Sequence, residues 1–226
     1  MFEKISFTDL LITVIPGGFL VSIVFLSFLF LNPSEMPSLP DQDFLLTFVF
    51  LALSFTAGEV VQTLARLSEG VIDIFFKGYR PSELILLQNN PVTSERQIQR
   101  LLEHAKLSDA DKNLLRDYRT MSFWRRIFRG KEACAELCQD VFRQAYTKHQ
   151  SDERITGSNA RYLFTRAMFV VFLLVAGWLL FLSVRFGYEV YPYLALSLLI
   201  SLAFLHRARG CGRGLVRQVI YISLYS

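Results

Sequence analysis

The sequence predicts an all-α membrane protein, with four transmembrane helices in two hairpins and a helical cytosolic domain inserted between them. Three observations carry that expectation. The apolar residues, 52% of the 226, are gathered into four long runs with almost no charge. Most of the basic residues fall between the second run and the third. The short connections on one side of the runs are nearly free of Lys and Arg. Composition taken alone says less, because soluble domains reach about 45–50% apolar residues and the mean hydropathy here is only +0.34. The net charge of +4 suits a nucleic-acid binder, but in a membrane protein it more often reports orientation.

The N-terminal hairpin is expected over residues 1–67. Ser6 and Asp9 are spaced as a capping box, and Leu10–Leu31 follows with 22 residues and no charge. At about 1.5 Å per residue that length crosses a hydrocarbon core of about 30 Å. A signal peptide would have an apolar stretch of about 7–15 residues and a small-x-small cleavage site. The sequence after Leu31 offers no such site, so the helix is expected to be retained. Inside it, Pro16-Gly17-Gly18 predicts a kink, because proline removes a backbone donor and clashes with the preceding turn. Two readings stand: a bend that neighbouring helices tolerate, or a hinge that lines a cavity. Asn32–Asp43, with three prolines, three acids and no Lys or Arg, reads as a short outer loop. The second span runs from Phe44 to about Arg66, and its Ser54 and Gly58 form a small-xxx-small pair that permits close helix approach.

The segment from Arg66 to Arg166 holds 18 of the 24 basic residues and 13 acids, a density that requires water. An aqueous helical domain is therefore expected over residues 68–162, with turn punctuation and no alternating strands. Its helices are read at Ser82–Gln88, after Ser94, after Ser108 and over Lys131–His149. The third begins with Ser108-x-x-Asp111 and buries Leu114, Leu115 and Tyr118. The fourth presents Cys134, Leu137, Cys138, Val141, Phe142 and Ala145 in one stripe. Gly157-Ser158-Asn159 is expected to cap the helix that re-enters the membrane. The C-terminal hairpin, residues 163–206, has spans at about Leu163–Val184 and Tyr188–Leu205, joined by a tight turn. Residues 207–226 are read as a basic cytoplasmic tail.

Orientation follows from the basic residues. The two candidate outer loops carry a single one, Arg185, whereas the central segment and the tail carry nearly all the others. Basic flanks stay cytoplasmic, so both termini and the central domain are expected inside the cell, with the protein a multi-pass resident of the cell membrane.

Three places have residues suited to chemistry. On the second span Thr56, Glu59, Gln62, Thr63 and Arg66 fall on one stripe about 120° wide. An ionisable group in hydrocarbon costs several kcal/mol, so this stripe should face other helices, a water-filled cavity or the membrane boundary. Glu59 with Gln62 lines an ion path, binds a cation or forms a ring in a symmetric oligomer, or else Glu59 pairs with Arg66 or Arg166 at the boundary. The second place is Phe123–Lys131, whose Trp124, Arg125, Arg126, Arg129 and Lys131 alternate aromatic rings with cations. Such a segment serves as a core helix, as a surface for anionic lipid heads, or as a contact for nucleotide or single-stranded nucleic acid, in that order of preference. The third is the tail, where Arg207, Arg209 and Arg213 read as topology signals that touch lipid headgroups. Cys134 and Cys138 lie inside an apolar stripe and read as small core residues, since a zinc site needs four ligands. No nucleophile elbow, phosphate loop, dinucleotide fingerprint or zinc-protease motif is present, so neither enzyme activity nor a cofactor is expected.

Asp9-Leu10-Leu11 with Pro16-Gly17-Gly18, and Gly58-Glu59-x-x-Gln62 in the second span, give a layout that resembles small prokaryotic four-helix membrane proteins with a cytosolic helical insert, some of which act in antiviral defence. That resemblance implies an effector that perturbs the membrane or a sensor that recruits a cytosolic partner. The leading expectation is a homo-oligomeric, channel-like effector whose central domain senses a ligand or partner. The alternative is a non-conducting anchor that recruits a cytosolic protein. Partners expected under either reading are membrane lipids, further copies of the chain and a cytosolic protein.

Overall fold

Backbone amides in hydrocarbon have no water to bond to, so a chain with four long apolar runs has little choice but helix. The computed structural model describes residues 7–31, 43–68, 95–104, 107–120, 131–187 and 189–225, and every regular element among them is helical. In chain order these are α1 (Phe7–Leu31), α2 (Asp43–Leu67), α3 (Glu95–His104), α4 (Asp109–Thr120), α5 (Lys131–His149), α6 (Glu153–Phe186) and α7 (Tyr191–Tyr225). Of these, α1, α2, α6 and α7 are long and apolar enough to cross a membrane. The Ser82–Gln88 helix and the Phe123–Gly130 part of the aromatic-basic segment lie outside the described residues, as do the Lys131 side chain and the Asn32–Gln42 connection.

The chain divides into two units. The first comprises Met1–Gly70 and Ala160–Ala208, and the second Val71–Asn159 and Arg209–Ser226. The first unit contains α1, α2, most of α6 and the first half of α7. Thr165–Val171 of α6 is buried at seven consecutive positions, which a helix achieves only when it is enclosed on all sides. Ring contacts join α6 to its neighbours within this unit. Phe172 stacks on Phe204 of α7 at 5.8 Å and meets Phe19 of α1 at 5.6 Å. Two serines of α7, one helical turn apart, tie it to α6 as well: Ser197 Oγ donates to the Phe172 carbonyl at 2.8 Å and Ser201 Oγ to that of Phe169 at 3.2 Å. Outward from these contacts the unit exposes Phe48, Leu51, Leu53, Leu198, Leu199 and Leu202. A surface of that kind suits lipid and is far too apolar for water.

The second unit has its own core. Leu115 of α4, Cys134, Cys138 and Val141 of α5, and Val216 and Ile220 of α7 are all buried together, with Leu102 of α3 packed at the margin. Ser108 and Asp111 form the expected box at the start of α4: the Asp111 amide donates to Ser108 Oγ at 3.2 Å, and the hydroxyl donates to Asp111 Oδ2 at 2.6 Å. Leu114 differs from expectation. It is 43% exposed, because α4 turns a single stripe inward and Leu115 occupies it. The Tyr118 side chain lies outside the described residues.

Two sequence expectations change here. Gly157-Ser158-Asn159 caps nothing, since α6 already begins at Glu153 and runs through all three. The cap is Asp152, whose Oδ1 accepts the Arg154 amide at 2.9 Å. A glycine inside a helix costs about 1 kcal/mol, which a helix this long absorbs. Likewise residues 207–226 form no separate tail. They continue α7 to Tyr225, because Val216, Val219, Ile220 and Ile222 recur at helical spacing and are buried. Gln218 there accepts a hydrogen bond from Ser158, and Gln97 Nε2 donates to the Tyr225 hydroxyl at 3.3 Å.

Candidate functional site

The crossing of α1 and α2 gathers both the proline segment and the polar stripe, and small residues make it possible. A Cβ added to Gly17 would stand 1.8 Å from the Ser54 carbonyl oxygen, and one added to Gly58 would stand 2.0 Å from that of Thr13. Each helix thus presses its backbone against the other's glycine. The contacts run in opposite order along α1 and α2, so the helices are antiparallel. Thr13 and Gly17 on α1 face Ser54 and Gly58 on α2, and both pairs are spaced by four residues. The α2 face that packs inward is Ser54, Gly58, Val61 and Ala65, with Val61 and Ala65 at 0% exposure.

Proline 16 is buried in this contact, and α1 stays helical through it. A proline lacks the N–H that would bond to the carbonyl four residues earlier. For Pro16 that carbonyl belongs to Ile12. Gln62 Nε2 of α2 donates to the Ile12 oxygen at 3.3 Å. The acceptor orphaned by the proline on one helix is therefore satisfied by an amide from the other, where no water would be at hand in a bilayer.

That contact accounts for Gln62 and separates it from the rest of the predicted stripe. Thr56, Glu59, Thr63 and Arg66 are exposed on the flank of α2. The two threonines carry their own satisfaction: Thr56 Oγ1 donates to the Ala52 carbonyl and Thr63 Oγ1 to that of Glu59, each at 2.9 Å. Arg66 lies in the last turn of α2. Glu59 forms no ion pair with Arg66 or Arg166 among the described residues. Seven residues of helix place Arg66 about 10 Å further along the axis, beyond a direct contact. Glu59 is left as a carboxylate one turn beyond Phe55, on the outside of an apolar helix.

Among the described residues one charge is buried, and it was not one of the candidate site residues. Arg166 is 3% exposed within α6, and its guanidinium lies 5.4 Å from the Tyr162 ring centroid. The signal in sequence was a lone arginine at the start of an uncharged run, which looks the same as a topology marker. The aromatic-basic candidates Trp124, Arg125, Arg126 and Arg129 fall outside the described residues. Arg207 is exposed, whereas Arg209 and Arg213 are partly buried on α7. The cysteines of α5 are core residues, Cys138 at 0% and Cys134 at 3% exposure, and burial pushes the Cys134 thiol above its ordinary pKa. No group of three or more metal-ligating side chains occurs among the described residues.

No family model, curated protein or solved structure matches this chain.

Proposed function

We propose that this is an integral membrane protein that assembles with copies of itself, so that the Glu59 flank of α2 is enclosed by neighbouring subunits and lines a channel-like path. The observation that supports it is the placement of Glu59: exposed within its own chain, on a helix whose outward neighbours include Phe48, Leu51, Phe55 and Val60. Facing lipid, the carboxylate would cost several kcal/mol. A second subunit or a shared aqueous interior removes that cost. Four spans enclose little volume alone, so conduction requires several subunits. In this reading the second unit faces the cytoplasm with both termini and responds to a ligand or partner.

The test is mass in a mild detergent, followed by ion flux in vesicles. A closed ring of subunits that conducts, and that loses conductance in Glu59→Gln while keeping its mass, is the expected result. A monomer, or flux unchanged by Glu59→Gln, would sink the proposal. The setting in antiviral defence is tested by challenging cells with phage, where Glu59→Gln should abolish any protection that the wild type confers.

One observation favours a second reading, a non-conducting anchor that recruits a cytosolic protein. The second unit closes its own core from α4, α5 and the end of α7, as a docking module must. Co-purification of one soluble protein in fixed ratio, unaffected by Glu59→Gln, would select the anchor.

A further inference from the structure

We infer that the surface enclosing Glu59 is the exposed face of α7 on a second copy of the chain, so that Glu59 of one copy meets His206 and Arg207 of the next. This contact rests on the self-assembly proposed above and names the faces that assembly uses. All the residues concerned lie in the first unit, Met1–Gly70 and Ala160–Ala208. The side chains of Glu59, His206 and Arg207 are exposed, and none forms an ion pair or hydrogen bond among the described residues.

The two helix faces suit each other. On α2, Ala52, Thr56, Glu59 and Thr63 are exposed at spacings of three and four residues, opposite the Ser54, Gly58 and Val61 face that packs inward. On α7, Ala195, Leu199, Ala203 and His206 are exposed in the same way, opposite the buried Ser197, Ser201 and Leu205. Small residues on both faces permit close approach. One face carries a carboxylate, and the other ends in two groups that can donate to it. His206 donates a ring N–H in either protonation state, and Arg207 is always charged.

The levels match as well. Gly58, next to Glu59, lies against Thr13, six residues or about 9 Å of helix before Phe19. Phe19 meets Phe172. As first and third spans, α1 and α6 run the same way, so about 9 Å back along α6 from Phe172 reaches Arg166. On α7, which runs against α6, Ser201 bonds at Phe169. Three residues further, the level of Arg166 falls at Phe204, two residues or about 3 Å short of His206. Copies in one bilayer share its normal, so groups at equal level are the ones able to meet. A contact between unlike faces is head-to-tail and closes into a ring where its rotation allows.

The test is cross-linking between two differently tagged full-length chains, one with Glu59→Cys and the other with His206→Cys. Both carry Cys211→Ser, since Cys211 is the cysteine that is not buried. Treated with a short bis-maleimide in mild detergent, they should give a covalent dimer holding both tags. Val184→Cys, at an 81% exposed position near the other end of α6, should not link to Glu59→Cys. Linking only between Glu59→Cys chains, equal linking to Val184→Cys, or none in an oligomer of intact mass overturns this contact alone. A monomer by native mass spectrometry overturns the self-assembly with it. Should the cysteine chains fail to assemble, charge exchange decides. Glu59→Lys should disperse the oligomer and His206→Glu in the same chain should restore it; no restoration is equally fatal. Glu59→Gln keeps the side chain's size and hydrogen bonding, so the oligomer should keep its mass.

Discussion

At the scale of single residues, Gln62 and Pro16 show how a local defect is repaired at a distance. Gln62→Leu leaves the Ile12 carbonyl without its donor and should cost about 1 kcal/mol, between the roughly 0.6 kcal/mol average for interhelical bonds in bilayers and the roughly 1–3 kcal/mol for a stranded buried acceptor. In Pro16→Ala, which restores the amide on α1, the same leucine should cost much less. Unfolding titrations in mixed micelles of the four variants measure the difference, and additive costs would refute the coupling. Ser54 makes the opposite case. Its Oγ is buried and finds no hydrogen-bond partner among the described residues, so Ser54→Ala should leave stability unchanged or raise it in the same titrations. Asp152 sets a pH dependence. Hydrogen bonds from the Arg154 side chain and amide hold its carboxyl below the ordinary 3.8. A depressed folded value means the cap is at full strength above the unfolded value and is lost as pH falls through the folded one. Carboxyl chemical shifts should place the Asp152 midpoint below 3.8, and the first turn of α6 should fray only at more acidic pH.

At the scale of the element, the α1–α2 crossing depends on two positions without a Cβ. Gly17→Ala and Gly58→Ala must each push backbone from backbone, since the clashes at 1.8 and 2.0 Å are not with movable side-chain ends. Overpacking of this kind costs about 1–3 kcal/mol or more. Gly157 and Gly177 have open space around them, so alanine there should be neutral or stabilise by up to about 1 kcal/mol through helix propensity. Thermal unfolding in detergent separates the two groups, and equal effects at all four sites would contradict the packing. Ser54 and Gly58 were legible in advance because their spacing alone permits close approach. Their partners were not: Thr13 and Gly17 became visible only when the antiparallel order set them opposite. The polar stripe was legible as a stripe, yet angular position could not say which flank α1 would cover. That choice fell to Val61 and Ala65, whose burial turns Glu59 outward.

At the scale of the whole molecule, four helices long and apolar enough to cross a membrane, and the helical character of the described residues between the second and the third, were readable because long uncharged runs and dense charge are properties of composition. The fate of residues 209–225 was not. A basic stretch followed by apolar residues looks like a tail until a core is available to receive Val216 and Ile220. Cysteine labelling tests that assignment. Cys134 and Cys138 should resist a polar maleimide in the native protein, while the partly exposed Cys211 reacts. Removing residues 209–226 takes Val216 and Ile220 away from the thiols, so both cysteines of α5 should then label rapidly. Slow labelling of the truncated chain would mean that the second unit is closed without the end of α7.

The repair of Pro16 by Gln62 also bears on descent. The proline at 16 and the amide at 62 constrain each other from opposite helices, so neither is free to drift alone. In related chains that have lost the proline, position 62 should be released to apolar residues. Where the proline persists, a side chain able to donate should persist with it.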